Sequence, residues 1–115
     1  MNEHALLPHQ TTHIYNVTMK LCVHVREAKI SHAELRDQAE RASVSTFLAV
    51  SEGLPHASPR MRKQYFDRAR ASAWELASAL HLACALGAMD QARWATCHAL
   101  IGRASAMLYA LGKAR

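Results

Sequence analysis

The sequence predicts an all-α fold, an antiparallel up-and-down four-helix bundle. Three observations carry that expectation. Half of the 115 residues are apolar, with only four glycines and three prolines. About a fifth of the chain is alanine, the best helix former, whereas glycine and proline are the worst. Apolar residues recur at gaps of three and four in four separate stretches, the period of a helix with one buried face. These stretches are joined by short connections, which force successive helices to run antiparallel.

The elements follow in order. Residues 1–9 read as a tail ending near Pro8, and residues 10–112 as the bundle. In the first helix, about 10–29, Ile14, Val17, Leu21, Val25 and Ala28 share a face. Tyr15, Met19 and Cys22 form a second apolar line, so this helix can touch two neighbours. The second helix, about 31–53, opens on Ser31-His-Ala-Glu34, a capping box in which the serine oxygen takes an orphan N–H and Glu34 reaches back. Gly53 closes it as a left-handed cap. Its inner face (Leu35, Ala39, Ala42, Thr46, Ala49, Val50) is small and partly polar, which favours close helix approach. The third helix, about 58–87, starts with Ser58 as N-cap and Pro59 at the first helical position. It is the longest, roughly 40 Å at 1.5 Å per residue. Met61, Tyr65, Ala69, Ser72, Ala73, Leu76, Leu80, Ala83 and Leu86 face inward, and Gly87 ends it. Asp90 caps the fourth helix, about 90–111, in which Trp94, Cys97, Ile101, Ala104, Leu108 and Leu111 line one face. Gly112 stops it.

The formal net charge is +5, a mild excess that suits an acidic partner. It is unevenly spread. Arg60, Arg62, Lys63, Arg68 and Arg70 stand against Asp67 alone in residues 58–70, a local +4, whereas residues 31–57 sum to −2. At helical spacing Arg60, Lys63 and Asp67 share one side and Arg62 lies elsewhere, so no single stripe collects the charge and a solvated helix start is the default. Cys22, Cys84 and Cys97 are an odd number without CxxC spacing, a reduced pattern rather than a disulfide framework. With no signal peptide and no long apolar run, a cytoplasmic protein without membrane contact is expected.

The middle of the chain resembles a known family. Leu35-Arg-Asp-Gln-Ala-Glu-Arg-Ala-Ser-Val-Ser45, followed by Ala49-Val-Ser-Glu-Gly53, resembles the "LrxQxxRAxvSxxxNIAEG" signature of the four-helix-bundle family also called the 23S ribosomal RNA intervening-sequence proteins. After Ser58, Tyr65-Phe66-Asp-Arg-Ala69-Arg70-Ala-Ser72-Ala-Trp-Glu75-Leu76 is similar to that family's "S…eyxxFlxiArgSxxEL", and Leu82-Ala-Cys-Ala-Leu-Gly87 to its "la.xlG". The resemblance covers about residues 30–90. Ala49, Phe47 and Ser51 depart from it, standing where asparagine, proline and alanine are usual. It implies an antiparallel four-helix bundle that assembles into a homo-oligomeric ring, a pentamer. It also implies a loosely defined role. Some members are encoded within insertions of ribosomal RNA genes. A related branch, the accessory variability determinants of diversity-generating retroelements, is a basic pentamer that binds a reverse transcriptase and nucleic acid.

The polar signature residues Gln38, Arg41, Ser45, Glu52, Ser72 and Glu75 admit two readings. Glu52 and Glu75 could act as a carboxylate pair. The stronger reading is structural: they bond to arginines such as Arg41 or Arg70 and fix helix register, since buried charges persist only when paired. Catalytic residues are not expected, because no GxSxG, P-loop, HExxH or Rossmann glycine pattern occurs. A di-iron centre would need Glu-x-x-His motifs, and none is present. His9 with His13, and His81 with Cys84, Cys97 and His98, have helical spacing for metal ligands, but cysteines at alanine-rich positions are more often small buried hydrophobes. No metal and no cofactor is expected. Aromatic residues are too few to build stacking platforms for single strands.

The sequence therefore leads to a non-enzymatic oligomeric interaction protein, with itself as first partner and RNA, DNA or a nucleic-acid enzyme as second. In a ring of five, the local +4 at Arg60–Arg70 would become about +20 around one rim and would hold phosphates in a salt-dependent way. The alternative is a purely structural or protein-binding module without nucleic-acid contact.

Overall fold

The computed structural model describes residues 5–113. It contains a short 3-10 turn, Pro8–Thr11, and four helices: α1 (His13–Glu27), α2 (Ala33–Gly53), α3 (Pro59–Ala85) and α4 (Gln91–Lys113). No strand occurs among the described residues. Residues 1–4 of the expected tail lie outside them.

Several boundaries follow the expected chemistry. The Ser58 hydroxyl accepts from Met61 N–H at 3.3 Å, with Pro59 in the first turn behind it. The Asp90 carboxylate accepts from Arg93 N–H at 3.0 Å and opens α4. Gly87 adopts φ +75. Its N–H reaches Cys84 O at 3.0 Å, and Ala88 N–H reaches Ala83 O at 2.8 Å, a Schellman ending that needs a residue without Cβ strain.

Other boundaries differ, each for a local reason. The first helix begins at His13 rather than Gln10, because Thr12 is extended and its hydroxyl accepts from Tyr15 N–H at 3.3 Å. The chain leaves α1 through Lys29, at φ +50. The Ser31–Glu34 capping box does not form: His32 Nδ1 accepts from Leu35 N–H at 3.2 Å and acts as the cap. Ser31 is committed elsewhere, its N–H donating to Ala88 O at 3.0 Å. That bond ties the α1–α2 connection to the α3–α4 connection. Gly53 is not a left-handed cap but the last residue of α2, and buried. Gly112 does not stop α4, which passes through it to Lys113.

Each helix packs against two others, α1 with α2 and α4, and α3 with α2 and α4. Tyr15 meets Phe47 with ring centroids 4.9 Å apart, and the Cys22 thiol donates to Ser43 O at 3.2 Å. Trp74 meets Ser105 across α3 and α4. Arg93 donates to His24 Nδ1 at 3.1 Å, and Arg103 to His13 Nε2 at 3.2 Å. The core has two clusters. One centres on Leu21, Val25, Leu76, Leu80 and Ile101, the other on Ile14, Val17, Val50, Phe66 and Leu108. The buried hydroxyls of Thr18 and Thr46 bond back to Ile14 O and Ala42 O of their own helices, so neither is left unsatisfied. Met61 and Leu86, expected inside α3, are exposed near its two ends. Among the described residues no helix is long and apolar enough to cross a membrane.

Of the glycines, Gly53 has the tightest surroundings. A Cβ there would sit 2.8 Å from Tyr65 Cβ and 3.0 Å from the Phe66 ring, whereas one at Gly102 would meet nothing within 4 Å. Gly53→Ala is therefore expected to cost about 1–3 kcal/mol of stability. Gly102→Ala should gain up to about 1 kcal/mol through helix propensity. Urea denaturation of the two variants beside the parent checks both signs.

Candidate nucleic-acid interface

The structure scatters the basic run of α3. Arg60 is exposed at the helix start. Lys63 is paired with Asp67, Nζ to Oδ2 2.7 Å. Arg68 covers the Tyr65 ring at 5.1 Å. Arg62 lies over Phe66 at 5.8 Å and lines a recess with Thr12, Leu54 and Leu111. Arg70 turns to α4. The five cations thus form no single stripe: Arg62 and Arg68 leave the side that Arg60, Lys63 and Arg70 share, and on that side Lys63 is paired with Asp67.

A different arrangement stands out along the α3–α4 groove. The Arg70 guanidinium carbon lies 5.4 Å from the Trp74 centroid and 5.0 Å from that of Tyr109. The Lys113 ammonium is also 5.0 Å from the Tyr109 centroid. Trp74 Nε1–H donates to Ser105 Oγ at 3.1 Å, which fixes the indole across the two helices. Trp74 and Tyr109 are nevertheless 59% and 53% exposed. The groove they line has a volume of about 460 Å³, with Gly102, Ala106 and Ala77 at its walls and no acidic residue among its lining. Among the described residues, ion pairs join Arg36 to Asp37, Lys63 to Asp67 and Arg93 to Glu27. None involves Arg70, whose buried Nε has no hydrogen-bond partner there. A second recess, sharing Ala77 and His98 with the first, continues the groove. In it the Trp94 ring lies 5.8 Å from His81 and 5.0 Å from His98.

The low aromatic count pointed away from stacking platforms, yet both tryptophans lie along this one groove. The sequence signal was the i,i+4 pairing of Arg70 with Trp74, Trp94 with His98 and Tyr109 with Lys113, which puts each pair on one helix face.

The polar signature is not a buried network. Glu52 and Glu75 are exposed, as are Arg41 and Ser45. Arg41 donates to Gln38 Oε1 at 3.0 Å within α2 rather than to either glutamate, and Ser72 is half-buried. The expected pairing of these carboxylates with Arg41 or Arg70 is absent among the described residues. The register rests on apolar packing instead. Ala49, at the position of the family's asparagine, is buried in the core, where an unpaired amide would be costly. Ser51, at a position where alanine is usual, carries a buried hydroxyl without a hydrogen-bond partner among the described residues.

No group of three or more His, Cys, Asp or Glu side chains suited to a metal ion occurs among the described residues. Trp94 stacks against both His81 and His98, occupying the space next to each imidazole. Burial pushes the Cys22 and Cys97 thiols up from their ordinary range, only partly offset at Cys22 by its bond to Ser43 and at Cys97 by the Arg93 charge. Both are therefore poor nucleophiles near neutrality.

Residues 10–110 match the family model described as 23S rRNA-intervening sequence protein. The match includes Arg70, Trp74, Ser105 and Tyr109. No curated protein matches the chain.

Removing the orphaned hydroxyl of Ser51 relieves a desolvated polar group. Ser51→Ala is expected to stabilise by about 1 kcal/mol, a rise of about 4 °C in Tm. Calorimetry at fixed protein concentration reads it.

Proposed function

The chain belongs to the 23S rRNA-intervening sequence protein family, and on that footing we propose that it is a non-enzymatic, self-assembling interaction protein that contacts RNA or a ribonucleoprotein. In this reading the four helices form an antiparallel up-and-down bundle, and copies of it close into a homo-oligomeric ring, a pentamer on the resemblance. The helix order is supported by the pairings of Tyr15 with Phe47, Trp74 with Ser105 and Arg93 with His24. Tyr15 and Arg93 lie early in their helices and Phe47 and His24 late in theirs, and Arg70, in the first half of α3, meets Tyr109 near the end of α4.

One observation carries the nucleic-acid contact. Arg70, in a groove without a carboxylate in its lining, and Lys113, beside it, converge on Tyr109. Cations held together without counter-charge favour an anionic ligand, and phosphate is the anion such a groove meets along a nucleic acid. Repetition of the groove around a ring multiplies its field.

A second observation favours the other reading, a protein-binding module. Met19, Val23, Val44 and Leu48, each 41–51% exposed, form an apolar face on α1 and α2 around a groove of about 410 Å³. Its rim holds Arg26 together with Glu27 and Glu40, so it offers both signs of charge to a second copy of itself. We assign this face to self-association and the α3–α4 groove to nucleic acid.

Two measurements test the division. Affinity for RNA in a gel shift should fall steeply as salt rises; salt-insensitive binding, or none at low salt, returns the protein to the second reading. Leu48→Asp should lower the mass seen by light scattering while leaving helicity unchanged, and an unaltered mass would remove α1–α2 as the assembly face.

A further inference from the structure

We propose that the α3–α4 groove takes unpaired nucleotides, with a base stacked on the Trp74 indole and the adjoining phosphates held by Arg70 and Lys113. This deepens the nucleic-acid reading above and rests on it.

The reason lies in how Trp74 is held. An indole carries one polar group, and here Nε1–H is already satisfied by Ser105 Oγ at 3.1 Å. The ring is thereby fixed in orientation while 59% of the residue stays exposed. An orientationally fixed, exposed aromatic face is what base stacking requires, and it is sequence-tolerant because every base has a π-face. Beside it, Arg70 is in cation–π contact with both Trp74 and Tyr109, and its Nε lacks an acceptor among the described residues. A guanidinium so placed presents a planar fork suited to a phosphate.

The floor of the groove leaves room. At Gly102 even an added Cβ would meet nothing within 4 Å. The groove also continues into the recess of Trp94, His81 and His98. From Trp94 to Tyr109 is fifteen positions of α4, about 22 Å at 1.5 Å per residue, long enough for several nucleotides of a single strand.

A duplex fits less well. Its bases are stacked on one another and their faces hidden, so it would meet this groove through phosphates alone. The charge outside the groove does not provide a matching rail, because Lys63 is neutralised by Asp67 and Arg62 points toward Leu54 and Leu111.

The test uses the full chain and two fluorescent probes of equal length, a 12-nucleotide RNA of mixed sequence without self-pairing and the same strand in a duplex. Anisotropy at low salt should show the single strand bound more tightly, with quenching of tryptophan fluorescence. Trp74→Ala should weaken single-strand binding by about 5- to 150-fold. Trp74→Phe, which keeps a π-face, should retain most of it. Melting and light-scattering mass should be unchanged in both; if Trp74→Ala proves unstable, Tyr109→Ala serves in its place. Equal binding of duplex and single strand, or an unaffected Trp74→Ala, overturns the inference while leaving RNA contact intact. A Trp74→Ala variant that loses its assembly mass overturns it in favour of a copy of the chain as the occupant. Failure of both probes to bind at low salt overturns the RNA reading itself.

Discussion

The distance between α2 and α3 governs the rest of the fold. At Gly53 there is no space for a Cβ against Tyr65 and Phe66. Along the same helices α2 buries Ala39, Ala42, Thr46 and Ala49, and α3 buries Ala69, Ala73, Ala79 and Ala83. Small side chains remove little apolar area from water individually. What they permit is close backbone approach, with many dispersion contacts per residue. The larger apolar groups come from α1 and from Phe66, Leu76, Leu80 and Leu108, which fill the space the seam leaves. The position of the groove follows. With Ala69, Ala73, Leu76 and Leu80 committed to the interior, the stripe one residue later (Arg70, Trp74, Ala77, His81) is turned to the flank shared with α4.

Charge contributes little to holding this arrangement. The Lys63–Asp67 pair is an exposed i,i+4 contact, of the kind that adds only marginally to stability. Arg36 to Asp37 and Arg93 to Glu27 are longer, at 4.0 and 3.5 Å. Because packing rather than ion pairing sets the register, Arg70 and Lys113 can rest on aromatic rings. The division of surfaces has the same origin. The α1–α2 side exposes aliphatic residues with both signs of charge at its rim, whereas the α3–α4 side exposes aromatics with cations only.

Much of the architecture was legible in the sequence. Ser58-Pro59, Gly87 and Asp90 are caps whose chemistry is local, so their geometry could be read before any tertiary contact was known. The family, too, was legible, from spaced matches within residues 30–90. The misreadings share a cause. Gly53 and Gly112 look like helix stops, but one is fixed by Tyr65 on another helix and the other packs near Lys63 and Phe66. Ser31 looks like a cap, but its N–H is taken by Ala88, far along the chain. Glu52 and Glu75 look like a network only when their exposure is unknown. The groove was illegible for the same reason: Arg70 with Tyr109, and Trp74 with Ser105, meet only once α3 and α4 are side by side.

The three histidine contacts carry one more consequence. Arginine side chains and peptide N–H groups can only donate. Each imidazole that faces one must therefore present a bare nitrogen: Nδ1 of His24 toward Arg93, Nε2 of His13 toward Arg103, and Nδ1 of His32 toward Leu35. His24 and His32 are thus Nε2–H tautomers and His13 the opposite, Nδ1–H form.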